Sequence, residues 1–231
     1  MERAAAERVV LTKGWLSQQA PAVRAALLRE ARLLHVGTGE FAYRIEDAGG
    51  GIYGVVQGGF AIHIAGISSG PHLAHIIRSG VWFGHAPVTT GARRQTSAQA
   101  VQPTTTFYVP QGPLRDLADA NAAIARSLGS LSHEAFRIAT AVASDLLIRR
   151  ADRRIASTLL RVTAVESGEA PEDPAGFRLT QSELGQMANT SRHVVNRTLG
   201  RFEAAGWVTC SYNRIAIRRP EQLAAFVREG D

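Results

Sequence analysis

Cysteine is almost absent from this chain: Cys210 is the one thiol in 231 residues. That excludes an intramolecular disulfide framework and any iron–sulfur cluster held by several cysteines of one chain. Lysine is equally scarce. Lys13 stands alone among 26 basic residues, and the others are arginine. A GC-rich coding sequence accounts for that bias by itself, although arginine also suits phosphate and guanine recognition. No apolar run approaches the roughly 20 residues of a membrane span, and no membrane partner is expected. Residues 1–10 are rich in alanine and charge and lack the apolar stretch of a secretory signal. The expected compartment is the cytoplasm. No P-loop, dinucleotide glycine fingerprint or G-x-S-x-G elbow occurs. Ser191 and His193 are near in sequence on a helix, which does not make a nucleophile pair.

Apolar residues reach 45% and charged residues 20%, so the chain can bury a core. A net charge of +6 and a pI near 10.4 favour an anionic partner. Residues 15–33 have helical spacing. Residues 34–110 then hold most of the glycines, between short β-branched and aromatic runs such as IYGVVQ, FAIHIAGI, HIIRSGVWFG and TTTFYVP. Short strands punctuated by turn residues predict an antiparallel sandwich or barrel.

From about Leu114 the pattern becomes a long Ala-rich helix. Ile124, Leu128, Leu131, Ala135, Ile138 and Val142 follow alternating steps of four and three. That spacing predicts a heptad seam and a parallel homodimer along the helix. The cluster Arg149, Arg150, Arg153, Arg154 reads as a solvated face or hinge. A second helix, RRIASTLLRVTAV, and a polar loop with two prolines follow.

The most informative stretch is LTQSELGQMANTSRHVVNRTLGRFEAAGWVTCSYNRIAIRR, residues 179–219. Thr180 and Glu183 form a T-x-x-E capping box that starts a helix. Asn189 and Thr190 make a turn, and Ser191 caps the next helix. Val195, Leu199 and Phe202 give that helix an apolar face. WVTCS and RIAIR read as a hairpin around Tyr212–Asn213. Helix, tight turn, helix and hairpin predict a winged helix-turn-helix. Arg192, His193, Asn196 and Arg197 fall on the opposite face or the entering end, where base edges are read. Thr180, Gln181, Ser191, Arg201 and Arg214 are expected to contact phosphates. The stretch carries six arginines against two acids, a net +4.

Nearly the whole chain resembles the Crp/Fnr family of bacterial transcription regulators, most closely in LTQSELGQMANTSRHVVNRTLGRFEAAGWV. VGTGEFAYRIEDAGGGIYGVVQGGFAIHI and VWFGHAPVTTGARRQTSAQA resemble the family's sensory β-roll. The resemblance implies an α+β chain. Its parts would be an N-terminal antiparallel β-roll of the cyclic-nucleotide-binding type (1–118), a long dimerisation helix (119–148) and a C-terminal winged helix-turn-helix (149–231). It implies a homodimer on a two-fold symmetric duplex site, contact with RNA polymerase, and no enzymatic activity. A signal in the roll would turn the recognition helices about a hinge at residues 145–154.

Two departures from the family pattern bear on function. Cyclic-AMP-binding members read F-G-E-L and then R-S-A in the phosphate cassette. Here FGHAP puts His85 where the Glu stands, and QTSA puts Thr96 where the Arg stands. Arg93 and Arg94 lie just upstream and substitute only if the loop shifts. Losing that Arg removes a charged hydrogen bond worth about 1.5–3 kcal/mol, which disfavours cyclic AMP. The residues expected around any effector are Gly84, His85, Arg94, Thr96, Ser97 and Thr140. In the recognition helix, S-R-E-T-V-x-R becomes S-R-H-V-V-N-R, so His193 predicts a changed half-site. His72 and His75 form an H-x-x-H that reads as a loop between strands; they or His85 could ligate haem, but nothing selects one. The rival readings are a ligand-independent regulator with a vestigial roll, and a metal-binding β-roll sensor or enzyme with an accessory DNA-binding domain. The paired histidines lack a nearby Glu for the latter, and no metal site is assigned.

Overall fold

The computed structural model describes residues 1–66, 70–165, 168 and 170–229. It divides into two compact units, residues 1–71 with 76–138 and residues 72–75 with 139–231. The division falls inside one long helix.

The first unit opens with α1 (Arg3–Thr12), a 3-10 turn at Trp15–Gln18, and α2 (Pro21–Glu30). Strands β1 (Arg32–Val36), β2 (Phe41–Tyr43), β3 (Ile52–Gln57), β4 (Gly59–Ile64), β5 (His72–Arg78) and β6 (Trp82–Phe83) follow. A short helix α3 (Ala86–Thr90) precedes β7 (Thr96–Ala100) and β8 (Thr104–Val109). They form two antiparallel four-stranded sheets, ordered β1-β8-β3-β6 and β2-β7-β4-β5. Phe60, Val55 and Ala98 are buried in an aromatic cluster with Tyr43, Tyr53 and Phe83.

Two sequence expectations need correction here. The helix expected over 15–33 is interrupted. Gly14 adopts φ +75°, Pro21 starts α2 at the position where its missing N–H costs nothing, and Arg32–Val36 leaves as a strand. His72 and His75 were expected on a loop but lie on β5, three apart and so on opposite faces. Strand β7, TSAQA, carries almost no β propensity. Its in-register pairing with β4, from Phe60↔Ala100 to Ile64↔Thr96, makes it a strand.

The helix after Leu114 is also two helices, α4 (Gln111–Ala120) and α5 (Ala122–Leu147), parted at Asn121. Asn121 is extended, and its Oδ1 accepts the Ala123 N–H at 2.9 Å. The predicted heptad seam is split in the same way. Ile124, Leu128 and Leu131 are only 1–2% exposed and pack with Leu27, Phe107 and Leu114 in the chain's own core. They are therefore not a free face. Ala135 is exposed, and Ile138 and Val142 are partly so. Another apolar face of α5 points outward: Phe136 is 66% and Leu147 82% exposed, with the exposed Gly129, Ala139 and Ala143 at helical spacing on the same side.

The second unit holds α6 (Ala151–Thr163), β9 (Phe177–Arg178), α7 (Gln181–Met187), α8 (Arg192–Ala204), β10 (Val208–Ser211), β11 (Arg214–Ile217) and α9 (Pro220–Arg228). Its sheet runs β10-β11-β9. Ile155, Leu159, Leu184, Val195, Leu199, Phe202 and Leu223 are buried in this unit. Residues of the expected hinge, 145–154, also make contacts inside this unit. Asp145, 5% exposed at the end of α5, accepts from Arg161 Nε at 2.6 Å and Ser157 Oγ at 2.5 Å, both on α6. Arg154 reaches the helix-turn-helix itself: its Nε donates to the Ala188 carbonyl at 2.5 Å. Much of the expected hinge cluster is thus structural.

Candidate functional site

Local sequence builds the helix-turn-helix. Thr180 Oγ1 accepts the Glu183 N–H at 3.1 Å, and Glu183 Oε2 accepts the Thr180 N–H at 2.7 Å. The capping box is therefore reciprocal. Glu183 also pairs with Arg178. Burial raises the pKa of its carboxyl, but Arg178 and the two Thr180 bonds outweigh that and hold it below the usual glutamate range. Between the helices, Asn189 takes φ +46°, which asparagine tolerates. Gly185 lets the helices close up: a Cβ there would lie 2.9 Å from the Thr190 carbonyl oxygen. Ser191 Oγ then accepts the Val194 N–H at 3.3 Å and starts α8.

On α8, Val195, Thr198, Leu199 and Phe202 are buried, while Arg192, His193, Asn196, Arg197 and Arg201 are exposed. The four residues expected to read bases therefore share the solvent face of one capped helix. Asn196 Nδ2 donates to Gln181 Oε1 at 3.3 Å, which joins two expected contact residues across the motif. Tyr212 is 91% exposed at the wing tip, beside Asn213 at φ +54°.

Arg214 is paired within the unit. Its guanidinium is engaged by Asp173 at 3.0 Å and by the Gly176 carbonyl at 3.1 Å. Sequence reasoning missed a second group. Arg150, Ala151 and Asp152 from the start of α6 face Val194, Arg197, Thr198 and Arg201 of α8 across a cleft of about 220 Å³. Asp152 holds Arg150 at 2.9 Å and Arg201 at 3.3 Å. Burial raises the Asp152 pKa, but these arginines and the Arg153 N–H overcome it, so the carboxylate stays charged. The signal was the cluster of arginines near residue 150, which carries no distance information by itself. Cys210 has no such setting: burial, then Glu203, pushes its thiol up to about 11.

The expected effector residues are inside the roll, with one exception. Thr140 lies exposed on the part of α5 that belongs to the second unit. Ser97 Oγ accepts the Ile45 N–H at 3.0 Å, and Thr96 Oγ1 is 3.4 Å from the Tyr43 hydroxyl. Gly84 takes φ +85°. His85 is 9% exposed and its Nδ1 has no partner among the described residues. Burial, and secondly Arg94, lower its pKa and favour the neutral ring. Arg94 is 3% exposed and donates to the carbonyls of Gly84 at 2.5 Å and Gly51 at 2.9 Å. No group of three or more potential metal ligands occurs among the described residues. No helix among them is long and apolar enough to cross a membrane.

A roll of this topology joined to a winged helix-turn-helix defines a class of DNA-binding regulator. Comparison with known proteins agrees. Residues 33–121 match the cyclic nucleotide-binding domain, and residues 153–226 match the Crp-like helix-turn-helix domain. The chain belongs to the Crp/Fnr family of transcription regulators and is not an enzyme. It is similar to the CRP-like cAMP-activated global transcriptional regulator of Mycobacterium tuberculosis, 22% identical over 211 residues, 90% of this chain and 93% of that protein. In fold it is similar to FixK2 from Bradyrhizobium japonicum (TM-score 0.74, 19% identity), covering 87% of this chain and 99% of that one. It is also similar to the c-di-GMP-responsive regulator CLP of Xanthomonas campestris (TM-score 0.66, 18% identity), covering 86% of this chain and 99% of that one.

Proposed function

We propose that the chain works in the cytoplasm as a homodimer on two-fold symmetric duplex DNA, regulating transcription in contact with RNA polymerase. The observation that carries this reading is the exposed face of α8. Arg192, His193, Asn196 and Arg197 lie free of the core on a helix whose N-terminus is capped by Ser191. Arginine can bridge guanine O6 and N7, and asparagine can pair with adenine. His193 donates where the family's Glu would accept, so the half-site differs at that step. Thr180, Gln181, Ser191 and Arg201 contact phosphates. Arg214 keeps its expected phosphate contact and Arg150 joins the group, since Asp152 aligns Arg150 and Arg201 beside the recognition helix.

The dimer forms along the outward face of α5, through Phe136, Ala139, Ala143 and Leu147, because the buried half of the heptad seam is occupied by the chain's own core. Two recognition helices would then enter major grooves about 34 Å apart. A signal reaching the roll would alter their spacing, with Gly84, His85, Thr96, Ser97 and Thr140 nearest the change. The rival reading, a roll that needs no ligand, is favoured by the surroundings of Arg94.

The test is selection from a random duplex pool with purified protein at fixed salt, since phosphate contacts make affinity steeply salt-dependent. The expected result is a two-fold symmetric motif, unchanged by cyclic AMP. Recovery of no motif with or without cyclic AMP would overturn the reading.

A further inference from the structure

Arg94 is a buried cation without a counterion: among the described residues it forms no ion pair with a carboxylate. Placing such a charge in a protein interior is costly unless other groups replace its water. Here the chain's own backbone does so for the two terminal nitrogens, while Nε has no partner among the described residues. Nη1 donates to the Gly84 carbonyl at 2.5 Å, Nη2 to the Gly51 carbonyl at 2.9 Å, and the guanidinium lies 4.2 Å from the centre of the Tyr43 ring. Charged hydrogen bonds of this kind are stronger than neutral ones, and the aromatic face adds a cation–π contact.

The surrounding glycines fit this side chain. A Cβ on Gly50 would lie 2.7 Å from Nη2, and one on Gly84 would lie 3.0 Å from Nη1. The Arg94 backbone is fixed as well, its N–H donating to Asp47 and its carbonyl accepting from Glu46. On its other side, the segment around α3 is gripped by α4. Gln111 Nε2 and Arg115 Nη2 donate to the Pro87 carbonyl at 3.2 and 3.3 Å, and Arg115 Nε to the Val88 carbonyl at 3.2 Å. Residues 84–90 are thus tied at Gly84 from within and at Pro87 and Val88 by the following helix.

We propose that Arg94 is the built-in occupant of the roll. Its guanidinium ties residues 84–90 to Gly51, just before β3, as an external ligand would, and the roll takes no cyclic nucleotide. A phosphodiester entering the site would have to win Arg94 from two carbonyls and an aromatic face, and Thr96 brings no charge to help it. This extends the ligand-free reading of the roll, and its test contains no DNA, so it fails or stands separately from the regulator reading.

The experiment uses the full chain. Fluorescent analogues of cyclic AMP and cyclic GMP are titrated to millimolar concentration, and amide hydrogen exchange is followed across residues 84–90. The wild type is expected to bind neither analogue saturably and to protect the segment without any ligand. In Arg94→Gln, exchange there should rise by about tenfold or more, the equivalent of one charged hydrogen bond, with residues 181–204 unchanged. Millimolar methylguanidinium should restore protection in Arg94→Ala, a rescue that a general packing defect would not give. If the Arg94 variants fail to fold, Gly50→Ala, which crowds Nη2, should show the same local rise. Saturable nucleotide binding by the wild type overturns the proposal, as does unchanged exchange at residues 84–90 in a folded variant.

Discussion

Arg197 and Arg94 carry the same side chain in opposite surroundings. Arg197 stands on the exposed face of α8, in the cleft between α8 and the start of α6. Arg94 is buried, and two of its nitrogens are committed to backbone carbonyls. Arg197 faces an outside anion, while Arg94 holds its own unit together, as Arg161 does on buried Asp145 in the other. A guanidinium in water attracts phosphate at little cost, whereas a buried one must already be satisfied. Arginine content therefore says little about binding until each side chain's partners are known.

The largest expected effect separates the two faces of α5. Leu131 is 1% exposed within the roll's core, and Phe136, five residues on, is 66% exposed. Leu131→Asp buries a charge and loses a packed side chain, so it should destabilise the roll unit by more than about 3 kcal/mol. Phe136→Asp should leave folding nearly unchanged but convert the proposed dimer to monomer. Thermal unfolding paired with light scattering checks both. A monomer produced by neither variant would remove α5 as the dimer element.

Next in size is the contrast between reading and positioning on α8 and α6. Arg197→Ala should cost about 1–3 kcal/mol of discrimination at one base position and leave the others intact. Arg150→Ala should weaken all duplexes alike and lower the salt slope by about 0.9, one phosphate contact. Titrations against the selected site and its single-base variants, at several salt concentrations, distinguish the two. If Arg150→Ala altered base preference, the division between reading and phosphate contact would be wrong.

The sequence was legible where structure is local. The T-x-x-E box, Ser191 as a cap, the turn at Asn189 and the apolar face of Val195, Leu199 and Phe202 are all set by neighbours within a few residues, and each formed as expected. The roll was legible as a class but not in detail. β7 is a strand because of β4, 40 residues earlier at Phe60↔Ala100, and Arg94 turns inward because carbonyls at Gly51 and Gly84 await it. The heptad spacing of α5 was real, but spacing does not say whether a stripe meets a second copy or the chain's own Leu27 and Phe107. Asp152 escaped notice for the same reason. Its partners Arg150 and Arg201 are 51 residues apart and meet only in the folded unit.

The smallest expected effect probes that local code through pH. Glu183 closes the capping box and pairs with Arg178, and its folded pKa lies below the usual range. A depressed carboxylate adds stability that is fully present above its unfolded pKa and is lost as pH falls through the folded one. At neutral pH, Glu183→Gln should therefore cost the winged-helix unit about 1 kcal/mol, the scale of a lost cap. The gap between variant and wild type should persist down to about pH 4, the ordinary carboxylate range, and close only below it. Urea unfolding of both proteins across that interval measures the gap directly. A gap that stayed constant into strong acid would mean that Glu183 acts by packing alone, and the winged helix would then owe less to its local charges than the roll owes to Arg94.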